Sequence, residues 1–169
     1  MGHRDGSPVH PFDPDLIRSP AMKEVYYLNK ETLPMIPVPH DCFIREVVLK
    51  DGFLEFIFED DINLHDSIQA IKPEAKSLII RYHLIYDLDD ITIKMLQSLT
   101  LHRWTRDPYA HKYHFRYFDY HKLTKLTEGT SLSYITHFIN HNSMFIRLWS
   151  FAEVQIELFA DYVEYEWIC

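Results

Sequence analysis

The chain has 169 residues, of which 47% are hydrophobic and 15% aromatic, and it carries a formal charge of −8. A chain of this length can bury one ordinary core and is too short for two, so we expect a single domain. The negative charge repels phosphate over most of the surface and argues against general nucleic-acid binding. No apolar run reaches the roughly 18 residues that a membrane-spanning helix needs, so no membrane association is expected.

A proline-rich leader is predicted for residues 1–39, which hold seven of the nine prolines, because proline removes a backbone donor and breaks regular structure. Residues 1–21 have no usable apolar period, and we interpret them as a candidate expression leader. EVYYL at residues 24–28 predicts a short first strand. Residues 40–169 are then expected to form one β-rich domain.

The stretch CFIREVVLKDGFLEFIFE predicts a β-hairpin. Two runs of β-branched and aromatic residues flank Asp51-Gly52, and both turn residues tolerate the positive φ of a type I′ turn. Alternation puts Leu54, Phe56 and Phe58 on one face. Polar residues then fall at the open end of the hairpin: His40, Asp41, Glu59, Asp60 and Asp61.

The middle of the chain predicts two further strands, then a strand and a helix. Residues 77–86 form an apolar run typical of a central strand covered on both faces, and residues 91–97 alternate as the next antiparallel strand. Tyr113, Phe115 and Tyr117 alternate as a strand would. Residues 119–128, closed by Gly129, fit a short helix.

The last part of the chain predicts a second hairpin over residues 133–149 and then an irregular strand. Its buried positions change phase between Ala160 and Val163, which one regular strand cannot accommodate, so we predict a β-bulge near Asp161-Tyr162. The expected fold is all-β or β-dominated α+β: an antiparallel sheet or sandwich of about eight strands with one short helix.

Motifs of common enzymes are absent from the sequence. From residue 22 onward there are two glycines, Gly52 and Gly129, which excludes a phosphate-cradling glycine-rich loop. No GxSxG, HExxH, CxxC or EF-hand pattern occurs. We therefore predict no cofactor and favour a protein that is not an enzyme.

Histidines and cysteines also give no clear metal site. His111 and His114 are three apart in a predicted strand, which places their rings on opposite faces, and His137 and His141 would be separated by about 13 Å. Cys42 and Cys169 match no metal-ligand spacing and, with no signal peptide, favour a reduced, cytoplasmic protein.

Carboxylates cluster at two predicted strand ends, and paired carboxyls can divide acid and base work or hold a metal ion. Acidic strand ends also keep a sheet soluble and discourage edge pairing, which is the simpler explanation. A metal-assisted hydrolase built from carboxylates and histidines stays an alternative. His40 with Cys42 makes a poor nucleophilic pair without a third orienting group, so Cys42 is interpreted as a small core residue.

Charge is unevenly distributed along the chain. Residues 102–125 carry six Lys and Arg against two Asp, interleaved with seven aromatics, a composition typical of single-strand nucleic-acid binding. That third hypothesis would use Arg103, Trp104, Arg106, Lys112 and Arg116. Residues 51–90 hold ten carboxylates against three basic residues, which favours a basic partner.

Four stretches carry a resemblance: HDCFIREVVLKDGFLEFIFED, DYHKLTKLTEG, YITHFINHNSMFIRLWS and EVQIELFADYVEYEW. Together they resemble small, largely uncharacterised β-rich proteins of Gram-positive bacteria, some of which are grouped with immunity proteins of polymorphic toxin systems. The resemblance implies one sheet-based domain and a protein partner, and it transfers no functional residue.

The resulting expectation is a non-enzymatic interaction module. Its partner would be a basic toxin domain docked on an acidic face built from six carboxylates. These are Glu59, Asp60, Asp61, Asp87, Asp89 and Asp90. Long edge strands without prolines also leave a homodimer open.

Overall fold

The computed structural model describes residues 21–86, 91–100, 106 and 111–169, with the backbone alone for residues 98–100 and 111. These residues form nine strands in one antiparallel sheet. The strands are β1 (Ala21–Tyr27), β2 (Phe43–Lys50), β3 (Phe53–Phe58), β4 (Ser77–Leu84), β5 (Ile91–Thr100), β6 (His111–Tyr117), β7 (Leu132–Asn140), β8 (Ser143–Trp149) and β9 (Glu153–Ile168). The helices are a 3-10 turn (Ile62–Leu64), α1 (Asp66–Gln69) and α2 (Tyr120–Gly129). The predicted β-dominated antiparallel fold is confirmed.

Strand β9 is the centre of the sheet. Its first half pairs with β8 and β5, and its second half pairs with β4 and β1. Because β4 also leads through β3, β2 and β7 to β8, the hydrogen-bonded strands close into a ring. The ring encloses the core between its two halves.

The prediction of residues 77–86 as the central strand is corrected. β4 ends at Leu84, and its side chains alternate between buried and half-buried instead of being covered on both faces. The apolar run is continuous because Ile79, on the outer face, is also apolar. Its side chain is half-buried between the neighbouring strands β3 and β9. A continuous apolar run therefore did not require two covered faces. β5 is a strand as predicted, but it pairs with β9 and β6 and not with β4.

Both predicted hairpins are present. Asp51 and Gly52 have φ values of 54° and 79°, which is the left-handed pair that a type I′ turn requires. Leu54, Phe56 and Phe58 are fully buried, as their alternation predicts. The second hairpin joins β7 to β8 through a two-residue turn in which Asn142 has a φ of 53°.

The predicted bulge is also present. Tyr162 pairs with His83 and Ala160 pairs with Leu84, so Asp161 is the extra residue on β9. The bulge lets Val163 and the residues after it return their side chains to the core.

The largest fully buried side chains of the core are aromatic, and the polar atoms of its buried tyrosines have partners. The Tyr134 hydroxyl lies 3.2 Å from the Tyr82 hydroxyl and 2.8 Å from His137 Nδ1, and the Tyr165 hydroxyl donates to the Pro37 carbonyl at 2.8 Å. Because a buried hydroxyl without a partner is costly, these bonds fix how the rings pack.

The folded chain begins before residue 40, where the domain was predicted to start. β1 pairs with β9 along its whole length, and Leu28 and Ile36 belong to the buried core. Proline density predicted irregular backbone correctly for residues 33–39, but prolines do not prevent an irregular segment from packing. Of the candidate expression leader at residues 1–21, residues 1–20 lie outside the described residues, and Ala21 is the first residue of β1.

Candidate interaction surface

Half of the predicted acidic site can be placed in the structure. Glu59, Asp60 and Asp61 are exposed just after β3, and the Glu59 amide donates to the Phe43 carbonyl at 2.9 Å. They therefore lie at the open end of the first hairpin, as expected. Asp60 is 3.9 Å from the guanidinium of Arg45, a weak exposed pair.

The other predicted carboxylates, Asp87, Asp89 and Asp90, lie outside the described residues. The chain approaches them from the turn end of the first hairpin, since the Leu84 amide donates to the Gly52 carbonyl at 2.9 Å. Glu59 leaves the opposite end of the same strands. Leu84 therefore lies beside the turn of the first hairpin, whereas Glu59 lies at its open end.

Two of the candidate reactive side chains, His137 and Cys42, are held in unreactive settings. Burial lowers the pKa of His137 to about 4, and burial raises the pKa of the Cys42 thiol to about 12, with Ser67 opposing that shift. Cys42 is a fully buried core residue, as predicted. Among the described residues, no group of three or more His, Cys, Asp or Glu side chains is arranged to hold a metal ion.

Strand β6 separates the cations from the aromatics that the nucleic-acid hypothesis combined. Alternation places Tyr113, Phe115 and Tyr117 on one face, and Lys112 and Arg116 on the other. Binding of a single strand needs stacking rings and phosphate-binding cations along one groove. Residues adjacent in sequence are therefore segregated in the fold. Arg103 and Trp104 lie outside the described residues.

A surface of exposed rings, here called the aromatic face, lies on the outer side of five strands, and no described element packs over it. β7, β8, the first half of β9, β5 and β6 lie side by side, and their core-facing residues alternate with outward-facing ones. Seven outward-facing aromatics define the face: Tyr113, Phe115, Tyr117, Phe138, Phe145, Trp149 and Phe159.

Exposure distinguishes this face from ordinary sheet surface. Phe138, Trp149 and Phe159 are 58%, 51% and 54% exposed in the described chain. Phe138 packs against Phe145 with ring centroids 6.1 Å apart, yet that contact leaves most of the Phe138 ring in water. Large contiguous apolar surface in water marks interaction sites.

The charged residues on the aromatic face neutralise one another. Arg147 donates two hydrogen bonds to Glu153, at 2.9 and 3.1 Å, and Lys94 Nζ is 3.5 Å from Glu157. Lys94 also lies 5.4 Å from the Tyr117 ring centroid. The charges of these four residues therefore cancel on the aromatic face, although the whole chain has a net charge of −8.

The sequence of β8 contains a signal for this face. In SMFIRLW, Phe145 and Trp149 alternate with Met144, Ile146 and Leu148. Those three side chains are buried, so the two aromatic rings lie on the outer side of the strand. The buried set of this strand is aliphatic and the outward set contains both aromatic rings, which is unusual for a face in water.

A second polar cluster lies on the other outer face, at the bulge. His83 Nδ1 is 2.7 Å from Asp161 Oδ1, and the His83 ring stacks on Tyr162 with centroids 4.6 Å apart. Among the described residues no hydroxyl or thiol forms a hydrogen bond with His83. The pair therefore orients an imidazole without a nucleophile beside it.

No protein family, curated protein or solved structure matches this chain. Within the described residues, none of the helices has the length and apolar character needed to cross a membrane.

Proposed function

We propose that this chain is a non-enzymatic protein-interaction module that docks its partner on the aromatic face. The observation that carries the proposal is the set of aromatic side chains left more than half exposed on one open sheet face, with the charges between them already paired. Aromatic residues and arginine are enriched in the centres of protein interfaces, where flat rings contribute large contact area.

The partner in this proposal is a basic protein domain, as in an immunity-type protein that binds a toxin domain. The net charge of −8 supports it, because a negative chain attracts a positive partner over distances beyond direct contact. The neutral aromatic face then supplies the contact area without a cost for desolvating unpaired charges. Glu59, Asp60 and Asp61 contribute to steering in this proposal.

The docking surface is tested by comparing how well immobilised wild-type and variant chains retain a protein from the host. Wild-type protein, Trp149→Ala, Phe138→Ala and the control Tyr27→Ala would be immobilised and exposed to native-host lysate, and any retained protein purified for titration. Tyr27 is 48% exposed on the other outer face, so it matches the lost rings in kind and exposure. We expect Trp149→Ala to weaken affinity by about 2 kcal/mol or more, roughly thirtyfold, and Tyr27→Ala to leave it unchanged.

Two outcomes contradict the proposal. One is that no protein is retained by wild type. The other is that the retained protein binds Trp149→Ala, Phe138→Ala and Tyr27→Ala equally well. Thermal unfolding of each variant shows whether the sheet is intact before binding is compared.

Charge reversal separately tests the basic character of the partner. Glu59→Lys, Asp60→Lys and Asp61→Lys together should slow association and flatten its dependence on salt, while dissociation changes little. Unchanged association rates would remove the basic-partner part of the proposal and leave the aromatic face standing.

A further inference from the structure

A basic cavity lies between helix α2 and the inner side of β5 and β6, and it meets the aromatic face only at Tyr117. Arg116 pairs with Met95 across the two strands, so both face the inner side of the sheet. The Phe118 amide donates to the Ile93 carbonyl at 3.1 Å and brings the chain into α2 beside them. The cavity between the strands and α2 has a volume of about 330 Å³.

Helix α2 presents one face to this cavity. Lys122, Lys125 and Leu126 are three and four residues apart, so they share one side of the helix, and all three line the cavity. The opposite side of α2 faces β2, where Thr124 and Glu128 lie. The only acidic side chain in the second half of the helix is therefore turned away from the lysines.

Three cations at the cavity have no ion-pair partner in the part of the chain that the structure describes. They are Arg116, Lys122 and Lys125. Asp119, the nearest acid in sequence, uses its carboxylate to accept the Lys122 backbone amide at 3.0 Å as the helix cap. The whole chain carries a net charge of −8. The surface around this cavity is locally positive, because its three cations form no ion pair with a described residue.

Most of the remaining lining is apolar: Met95, Phe118, Leu126 and Phe151 lie there, together with Gln97 and Tyr117. A free inorganic ion would gain from the cations and nothing from this lining, whereas a neutral apolar molecule would leave the cations unused. The combination suits a ligand with both parts, and the volume is at the lower end of the roughly 300–1,000 Å³ usual for small-molecule sites.

We propose that this cavity binds a small amphipathic anion of the medium-chain carboxylate class. The carboxylate accepts hydrogen bonds from Lys122, Lys125 and Arg116, and the alkyl chain lies against Met95, Phe118 and Phe151. Charge-assisted hydrogen bonds hold the head group, and removal of the alkyl chain from water adds to the affinity. The site uses residues distinct from the exposed rings that carry the proposed function, apart from Tyr117 at the shared margin.

Calorimetric titration with octanoate, 1-octanol and inorganic phosphate tests this binding site. Octanoate, kept below its micelle threshold, should bind the full chain with one-site saturation, and the other two probes should bind at least tenfold more weakly. Lys122→Gln or Lys125→Gln should weaken octanoate about tenfold, the usual scale for one charged hydrogen bond. Lys50→Gln, an exposed lysine at the first hairpin turn, is the matched control and should change nothing.

Each alternative result overturns the inference. Equal binding of 1-octanol means that the cations contribute nothing, and equal binding of phosphate means that the apolar lining contributes nothing. Octanoate binding that is unaffected by the Lys122 and Lys125 substitutions places the ligand elsewhere, for example on the aromatic face. Phe151 is an exposed ring, so Phe151→Ala tests the apolar part of the site without disturbing the core. Unchanged octanoate affinity in this variant also counts against the site.

Discussion

His83 and Asp161 are joined by a hydrogen bond of 2.7 Å between Nδ1 and Oδ1, and Asp161 is the extra residue that makes the bulge in β9. The bond ties β4 to β9 where their register shifts. Beyond this point Tyr165 and Trp167 are fully buried. The bulge therefore decides which face of the last seven paired residues enters the core.

Deletion of Asp161 should abolish folding. Without the extra residue, every side chain after it moves to the opposite face, so Tyr165 and Trp167 would point into water. The variant should lack the cooperative thermal unfolding of wild type when followed by near-ultraviolet circular dichroism. Asp161→Asn keeps the residue count and an acceptor for His83, and it should cost no more than about 1 kcal/mol. A folded deletion variant would show that register does not depend on the bulge.

The Tyr120 hydroxyl forms hydrogen bonds with the part of β2 that does not pair with β7. Loss of this hydroxyl should destabilise the protein. β7 pairs only with Phe43 and Ile44 of β2. Further along, the Leu49 amide donates to the Tyr120 hydroxyl at 2.7 Å, and this hydroxyl donates to the Val47 carbonyl at 3.4 Å. Tyr120→Phe leaves the amide without a partner and should lower the free energy of unfolding by about 1–2 kcal/mol in urea titrations.

Tyr27→Phe is the control for this measurement, because it removes a tyrosine hydroxyl from an exposed edge position. A loss of stability in Tyr120→Phe no greater than in Tyr27→Phe would mean that water replaces the Tyr120 contact at no cost.

Stability should fall as the pH is lowered from about 6.5 to about 4, because of His137. Burial lowers the folded-state pKa of His137 from 6.5 to about 4, so the unfolded chain takes up a proton first as pH falls. The stabilisation is complete above pH 6.5 and is lost through this window, by about 3 kcal/mol at most. Urea midpoints at several pH values measure it.

His137→Gln should flatten that part of the pH profile and keep a hydrogen-bonding partner for Tyr134. His141→Gln, in the exposed turn, should leave the profile as in wild type. Identical slopes for His137→Gln and wild type would mean that other groups produce the pH dependence.

Cys42 should resist alkylation in the folded protein. Burial raises the pKa of its thiol to about 12, so the reactive thiolate is about one part in ten thousand at pH 8. Iodoacetamide should therefore modify Cys169, which is half-buried, and reach Cys42 only after denaturation. Mass spectrometry of native and urea-treated samples counts the modified thiols. Rapid modification of native Cys42 would show an accessible, activated thiol.

Sequence predicted the elements whose signals are local. Asp51-Gly52 specified the first turn, and the phase change around Asp161 specified the bulge, because both depend on neighbouring residues. α2 was predicted from its apolar spacing and Gly129, and Asp119 caps it. The short helix α1 was missed, since four residues carry no detectable period.

Strand order and surface composition could not be predicted in the same way. The role of β9 as the centre depends on pairing with β1, about 140 residues earlier, and no local pattern specifies such a pair. The separation of Arg116 from Phe115 follows from alternation, but which side faces water depends on β5 and β9. The aromatic face and the basic cavity therefore emerge only when distant strands are placed together.

The ring of strands has a consequence for synthesis on the ribosome. β9 is made after the other eight described strands, and β1, β4, β5 and β8 all depend on it for a neighbour. Until it emerges, those strands expose unpaired backbone and apolar side chains to solvent and to other nascent chains. Pauses in translation before the codon for Glu153 should therefore increase aggregation.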